Sequence, residues 1–126
     1  IYMSSQIEIS KNKRLDLVNS YILSNYHEEI DLSKLASMAS MSKYHFHRKF
    51  SERFGVSVIK YIRRIRLAAA ASALVESDLA IKAISDSAQY KDLESFYRAF
   101  KAEYGCPPSE YRKQCGWATA AVKEFI

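Results

Sequence analysis

The chain is predicted to be all-α: two tandem helix-turn-helix subdomains joined by a long linker helix, about seven helices in total. Three observations carry that expectation. There are only three glycines and two prolines in 126 residues, and few β-branched clusters, as expected for helices joined by short turns. Aromatic residues recur every fourth position in two places, as one face of an amphipathic helix requires. And the stretch Ser42–Tyr61 is written again as Asp92–Tyr111. At that offset Phe46 repeats as Phe96, Arg48 as Arg98, Phe50 as Phe100, Gly55 as Gly105 and Tyr61 as Tyr111. Self-similarity at a fixed spacing marks a duplicated supersecondary unit.

Taken in order, residues 1–12 are polar and unpatterned and read as a flexible arm. From Arg14 to about Tyr26, Leu15, Val18 and Ile22, with Leu17 and Tyr21, form a helical stripe. Asp31 is placed to cap a short helix, Leu32–Ala39, whose Leu32, Leu35 and Ala36 face a core. Ser40 and Met41 make a tight turn into a helix capped by Ser42. In it Phe46, Phe50 and Phe54 point inward, leaving Lys43, Tyr44, His47, Arg48 and Ser51 on the other side. Gly55 suits the left-handed position that closes such a helix.

Ser57 caps a long helix running to about Val75, with Val58, Tyr61, Ile62, Ile65 and Leu67 ahead of the alanine-rich AAAASAL. At 1.5 Å per residue it reaches about 28 Å. After a turn at 76–79 the plan repeats: a short helix near Ala80–Ala88 with Ile81 and Ile84 inward, then a helix capped by Asp92. Phe96, Phe100 and Tyr104 form its apolar row and Gly105 ends it. Pro107 and Pro108 start a last helix, SEYRKQ. The expected divisions are therefore an arm (1–12), a first subdomain (13–56), a linker helix (57–76) and a second subdomain (77–114). Residues 115–126, with Trp117, Val122 and Phe125, make a tail or a linker to a further domain.

Net charge is +5, unevenly placed. Between Lys43 and Arg66 stand Lys43, Arg48, Lys49, Arg53, Lys60, Arg63, Arg64 and Arg66, opposed only by Glu52, so this segment carries +7. The segments on either side are each −1. A localised basic patch suits a polyanion, either nucleic acid or an anionic membrane surface. No apolar run approaches the roughly 20 residues that span a bilayer. Cys106 and Cys115 are too few for a disulfide framework and lack metal-ligand spacing. His45 and His47 lie two apart, on different faces of a helix, which disfavours a metal pair. No glycine-rich phosphate loop and no paired carboxylates suggest catalysis, and Cys115 has no neighbouring group to activate its thiol. No catalytic residue, metal ligand or cofactor is expected, and the simplest location is the cytoplasm.

With Leu35, Ala36, Ser42, Phe46, Arg48, Phe50 and Gly55 matching L-A-x5-S-x3-F-x-R-x-F-x4-G, the chain closely resembles the AraC/XylS family of bacterial transcription regulators. The resemblance runs through YIRRIRLAAAASAL to Ser95, Phe96, Arg98, Phe100, Lys101, Gly105, Pro108, Glu110, Tyr111 and Arg112, and covers roughly Arg14–Arg112. It implies sequence-specific binding of double-stranded DNA at the nucleoid by two recognition helices in successive major grooves, about 34 Å apart. RNA polymerase is a second partner to consider, and the isolated domain is expected to be monomeric. Carried over by position, Tyr44, His47 and Arg48 face bases from the first recognition helix, and Leu93, Glu94, Tyr97 and Arg98 from the second. Candidates for phosphate contacts are Ser42, Lys43, Lys49, Arg53, Arg63, Arg64, Lys91 and Lys101. The family usually has Gly where this chain has Gln89, and Ala where it has Ser85. If Gln89 takes positive φ, it costs about 1 kcal/mol, which would loosen the second unit. The charge distribution suggests that the first unit supplies most affinity and the second adjusts specificity. A rival reading is a basic helical module that docks on an acidic protein or a membrane surface.

Overall fold

The computed structural model describes residues 2–116, with side chains from residue 7. Among these the chain is helical throughout: α1 (Tyr2–Asn25), α2 (Leu32–Met38), α3 (Lys43–Phe54), α4 (Val58–Glu76), α5 (Ile81–Ser87), α6 (Leu93–Tyr104) and α7 (Pro108–Cys115). It divides into two compact units, 1–63 and 64–126, and the division falls inside α4. The tail residues Trp117, Val122 and Phe125 lie outside the described residues.

Residues 2–12 correct the expectation of a loose arm, because α1 continues through them to Tyr2. They contain no Gly or Pro, and extending an existing helix is far easier than nucleating one. Leu15, Val18 and Ile22 are at most 1% exposed, as the stripe requires, but Leu17 is 63% exposed and leaves the core set.

In unit 1, Asp31 caps α2 by accepting from the Ser33 amide at 2.9 Å, and Ser42 caps α3 by accepting from the His45 amide at 3.2 Å. Phe46 and Phe50 are fully buried. Their ring centroids lie 5.8 Å apart, and Phe50, Phe54 and Tyr61 close a three-ring cluster at 4.5, 5.4 and 5.5 Å. Such pairs are worth roughly 0.5–1.5 kcal/mol each beyond the area they bury. Gly55, at φ 81°, ends α3, and Ser57 then accepts from the Lys60 amide to begin α4. Arg14 donates to the Ala39 carbonyl at 3.0 Å and so ties α1 to the end of α2.

Unit 2 is built to the same drawing. Asp92 accepts from the Ser95 amide at 2.7 Å, Phe96 and Phe100 are fully buried, and Gly105 stands at φ 82°. Phe100, Tyr104 and Tyr111 repeat the three-ring cluster at 4.7, 5.3 and 5.4 Å. Leu67, Ala70, Ala71 and Leu74 of α4 complete this core with Ile84 and Ala88. Pro108 is buried at the first position of α7, where its missing N–H costs nothing. Arg112 clamps the end of α4 and the turn after it. Its guanidinium donates to the carbonyls of Leu74, Ser77 and Leu79 at 3.0, 3.2 and 2.7 Å.

The turns before α3 and α6 differ in one residue and share one strain. Met41 donates to the Ala36 carbonyl at 3.0 Å and Tyr90 to the Ser85 carbonyl at 3.2 Å. Ser42 follows Met41 directly, whereas Lys91 is inserted between Tyr90 and Asp92. Gln89 does take the left-handed conformation, at φ 67°, but Ser40 takes it too, at φ 55°. That strain is common to both units and loosens neither relative to the other. What unit 2 has in addition is Ser85, fully buried with an Oγ that has no hydrogen-bond partner among the described residues.

A buried, unpartnered hydroxyl costs on the order of 1–3 kcal/mol. Ser85→Ala is therefore expected to raise the unfolding midpoint by about 4–8 °C for each kcal/mol recovered, read by thermal circular dichroism. A lower midpoint would mean that the hydroxyl is engaged.

Candidate nucleic-acid interface

Because Phe46 and Phe50 hold one side of α3 in the core, His47 and Arg48 between them face away from it. Along 42–50 and 92–100 the sequence of exposed, half-buried and buried positions is identical. Duplication of the apolar row has thus duplicated the polar face, with different chemistry on it. In unit 1, Tyr44, His47, Arg48, Ser51 and Glu52 line a shallow, open depression. Tyr44 is 77% exposed at the start of the helix. The corresponding face of α6 carries Leu93, Glu94 and Arg98 exposed and Tyr97 half-buried. Tyr97 also packs against Phe96 and the core of unit 2, at 6.4 Å between rings.

The phosphate candidates separate into two groups. Ser42, Lys43, Arg63, Lys91 and Lys101 are exposed, and the four cations among them form no ion pair with other described residues. Ser42 accepts from the His45 amide. Lys49, by contrast, is 17% exposed and lies 3.6 Å from Glu8 and 3.4 Å from Glu52. Arg53 bonds Asp16 at 3.2 Å and lies over the Phe54 ring. Both therefore link α3 to α1. Arg64 stands 3.6 Å from Glu103 in unit 2. Arg48 pairs with Glu52 at 4.0 Å, whereas Arg98 has no such pair among the described residues. Half of the basic run between Lys43 and Arg66 is thus matched by acids, three of which lie outside it. The +7 counted along the chain overstates the field that the first unit presents. Exposed pairs such as Arg48–Glu52 are weak and open to exchange; Lys49, held by two acids, is less so.

The sequence reading missed the clamps made by Arg14 and Arg112, which span 25 and 33–38 residues and leave no local trace. Glu52 could have been assigned more weight, since it falls four residues after Arg48 and three after Lys49, both contact spacings on a helix.

The two histidines part as expected. His47 lines the depression and His45 does not. Burial pushes the His45 imidazole below its ordinary pKa, and Lys11, Arg48 and Lys49 push it the same way against Glu52.

A buried, polar-faced second helix after a short first helix and a tight turn, made twice, defines a tandem helix-turn-helix module. Residues 35–114 match the family model described as a helix-turn-helix domain, and the chain belongs to the AraC/XylS-type helix-turn-helix family. It is 43% identical over 93 residues to the HTH-type transcriptional regulator YbfP of Bacillus subtilis, covering 74% of this chain and 32% of that protein. It is 31% identical over 99 residues to the bifunctional transcriptional activator/DNA repair enzyme AdaA of the same organism, covering 79% and 47%. The chain thus spans a third to a half of these relatives. The DNA-binding domain of AdpA in complex with a target DNA superposes with a TM-score of 0.74 at 25% identity, over 79% of this chain and 89% of that one. The C-terminal domain of AraT, a response regulator from Geobacillus stearothermophilus, does so at 0.74 and 26%, over 79% and 84%. No described helix is long and apolar enough to cross a membrane.

A depressed His45 pKa has a definite consequence for stability. Between the ordinary value of 6.5 and the lower folded value, the unfolded chain binds more protons than the folded one. The contribution of His45 is present above pH 6.5 and is lost as pH falls through the folded pKa. Urea midpoints measured from pH 7.5 to 5 are expected to fall less steeply in His45→Gln than in the unaltered chain. Equal slopes would contradict the shift.

Proposed function

We propose that this chain is a DNA-binding module of a bacterial transcription regulator, reading double-stranded DNA with the outward faces of α3 and α6. The single observation that carries the proposal is the duplicated face itself. Each unit presents an arginine, Arg48 or Arg98, at the same helical position beside an aromatic or imidazole neighbour. In each, the opposite side of the helix is locked in a core of its own. An arginine on an exposed helix face can bond O6 and N7 of one guanine, the commonest specific contact in the major groove. Family membership and the likeness to a domain solved on its target DNA support the same reading.

In this reading Tyr44, His47 and Arg48 meet base edges from α3, and Leu93, Glu94, Tyr97 and Arg98 from α6. Leu93 suits a thymine methyl and Glu94 a cytosine amino group. Lys43, Arg63, Lys91 and Lys101 contact phosphates, and the free N–H groups at the starts of α3 and α6 assist them. In this reading the DNA-binding subdomains are 13–56 and 77–114, joined through the helix 57–76. Since α1–α3 ion pairs absorb much of the first unit's positive excess, the two units share affinity more evenly than the charge count implied. The module acts in the cytoplasm, needs no cofactor, has no catalytic role and binds as a monomer. Contact with RNA polymerase belongs to the complete regulator.

Duplexes enriched by this chain from a random-sequence pool supply the test. Arg48→Ala and Arg98→Ala are each expected to weaken binding to the enriched duplex by about 5- to 150-fold, within a factor of about ten of each other. Affinity should also fall steeply between 50 and 200 mM salt, as counterion release demands. Binding that neither substitution changes, or that is indifferent to salt, would overturn the proposal. Preferential binding to anionic vesicles over DNA would favour the membrane-docking alternative instead.

A further inference from the structure

The outward face of α3 carries a device that α6 lacks. Glu52 Oε1 lies 4.0 Å from Arg48 Nε, and Glu52 Oε2 lies 3.4 Å from Lys49 Nζ. Lys49 Nζ in turn lies 3.6 Å from Glu8 Oε1 of α1. The four side chains make a row of alternating charge, Glu8–Lys49–Glu52–Arg48, whose best-buried member is Lys49 at 17% exposure. At the matching positions of α6 stand Ala99 and Ala102.

Stability does not account for the Arg48–Glu52 pair, because an ion pair this exposed adds little to it. General affinity for DNA does not account for it either, because a carboxylate on the reading face repels phosphates and offsets a cation. What Glu52 changes is the arginine. Glu52 stands on the Nε side of the guanidinium, 4.0 Å away, and no ion pair with another described residue occupies its outer edge of two terminal amino groups. That outer edge is a fork able to match two acceptors on one guanine. An untethered arginine, with many rotamers, serves a nearby phosphate as readily as a base. One held by a neighbour gives up less freedom when it docks on a base. The anchored end of the row, at Lys49 and Glu8, keeps the carboxylate itself in place.

We infer that Glu52 is a positioning residue that raises the base discrimination of Arg48 while lowering the first unit's affinity for DNA in general. The inference rests on the DNA-reading function proposed above. It assigns the two units different characters: a selective reader whose arginine is biased by a carboxylate 4.0 Å away, and a second whose Arg98 has no such ion pair among the described residues.

The experiment compares dissociation constants for two duplexes, one enriched from a random pool by the unaltered chain and one of the same composition scrambled. The readout is the ratio of the two, which a mere loss of folded protein does not move. Glu52→Gln is expected to tighten binding to the scrambled duplex by about two- to threefold through loss of a negative charge. It should lower the ratio by about fivefold through loss of the tether. In an Arg48→Ala background Glu52→Gln is expected to leave the ratio unchanged, since nothing remains to be positioned. Ala102→Glu, which places the same carboxylate one turn past Arg98, is expected to weaken scrambled binding and raise the ratio. If Glu52→Gln tightens both duplexes equally, Glu52 is a charge and no more, and the inference fails. If the ratio falls equally in the Arg48→Ala background, Glu52 reads a base itself, and the inference also fails. If the unaltered chain binds neither duplex, the functional reading falls and this inference with it.

Discussion

Every outward-facing residue in both units owes its direction to an aromatic row packed inward. Phe46 packs on Phe50, and Phe50 and Phe54 lock against Tyr61 at the start of α4; likewise Phe96 packs on Phe100, and Phe100 and Tyr104 lock against Tyr111 of α7. A helix has only one way to bury residues i, i+4 and i+8, so its rotation about its own axis is set, and its opposite face with it. The caps at Ser42 and Asp92, and the left-handed glycines Gly55 and Gly105, then fix where each reading helix begins and ends. Truncating a buried ring such as Phe50 or Phe100 costs roughly 3–5 kcal/mol, which makes this packing the condition on which any surface chemistry depends.

Two units with one backbone plan can still differ in what they recognise. The backbone and burial pattern of α3 and α6 agree position by position, but Tyr44 is answered by Glu94, His47 by Tyr97 and Ser51 by Lys101. The environment of the shared arginine differs as well. Arg48 shares a row of ion pairs that reaches back to α1, while the positions of α6 that match Lys49 and Glu52 are Ala99 and Ala102. Matching recognition-helix scaffolds with unlike surfaces suit an asymmetric target.

Much of the fold was legible because its signals are local. Ser42, Asp92, Gly55, Gly105 and the aromatic spacing each act within one helix, and the structure places them as their chemistry demands. The exposed faces of α3 and α6 followed from the same periodicity. What could not be read was set by contacts distant in sequence. Lys49 and Arg53 looked like members of a basic patch, yet Glu8 and Asp16 of α1 occupy them. Arg112 appeared only as part of a signature, yet it holds three carbonyls more than thirty residues away. Residues 2–12 carry no apolar stripe, so nothing local announced that α1 would run through them. The strain at Gln89 was foreseen from the residue type, but its equal at Ser40 was not, because the one-residue difference between the turns hides the correspondence.

The claim that stands above the rest is that both reading helices engage one duplex. A hydroxyl-radical footprint of the chain on a duplex enriched from a random pool tests it in one experiment. If both engage, protection falls in two windows on one face of the DNA, with centres separated by about one helical turn. A single window, unchanged when Arg98 or Arg48 is replaced by alanine, would contradict it.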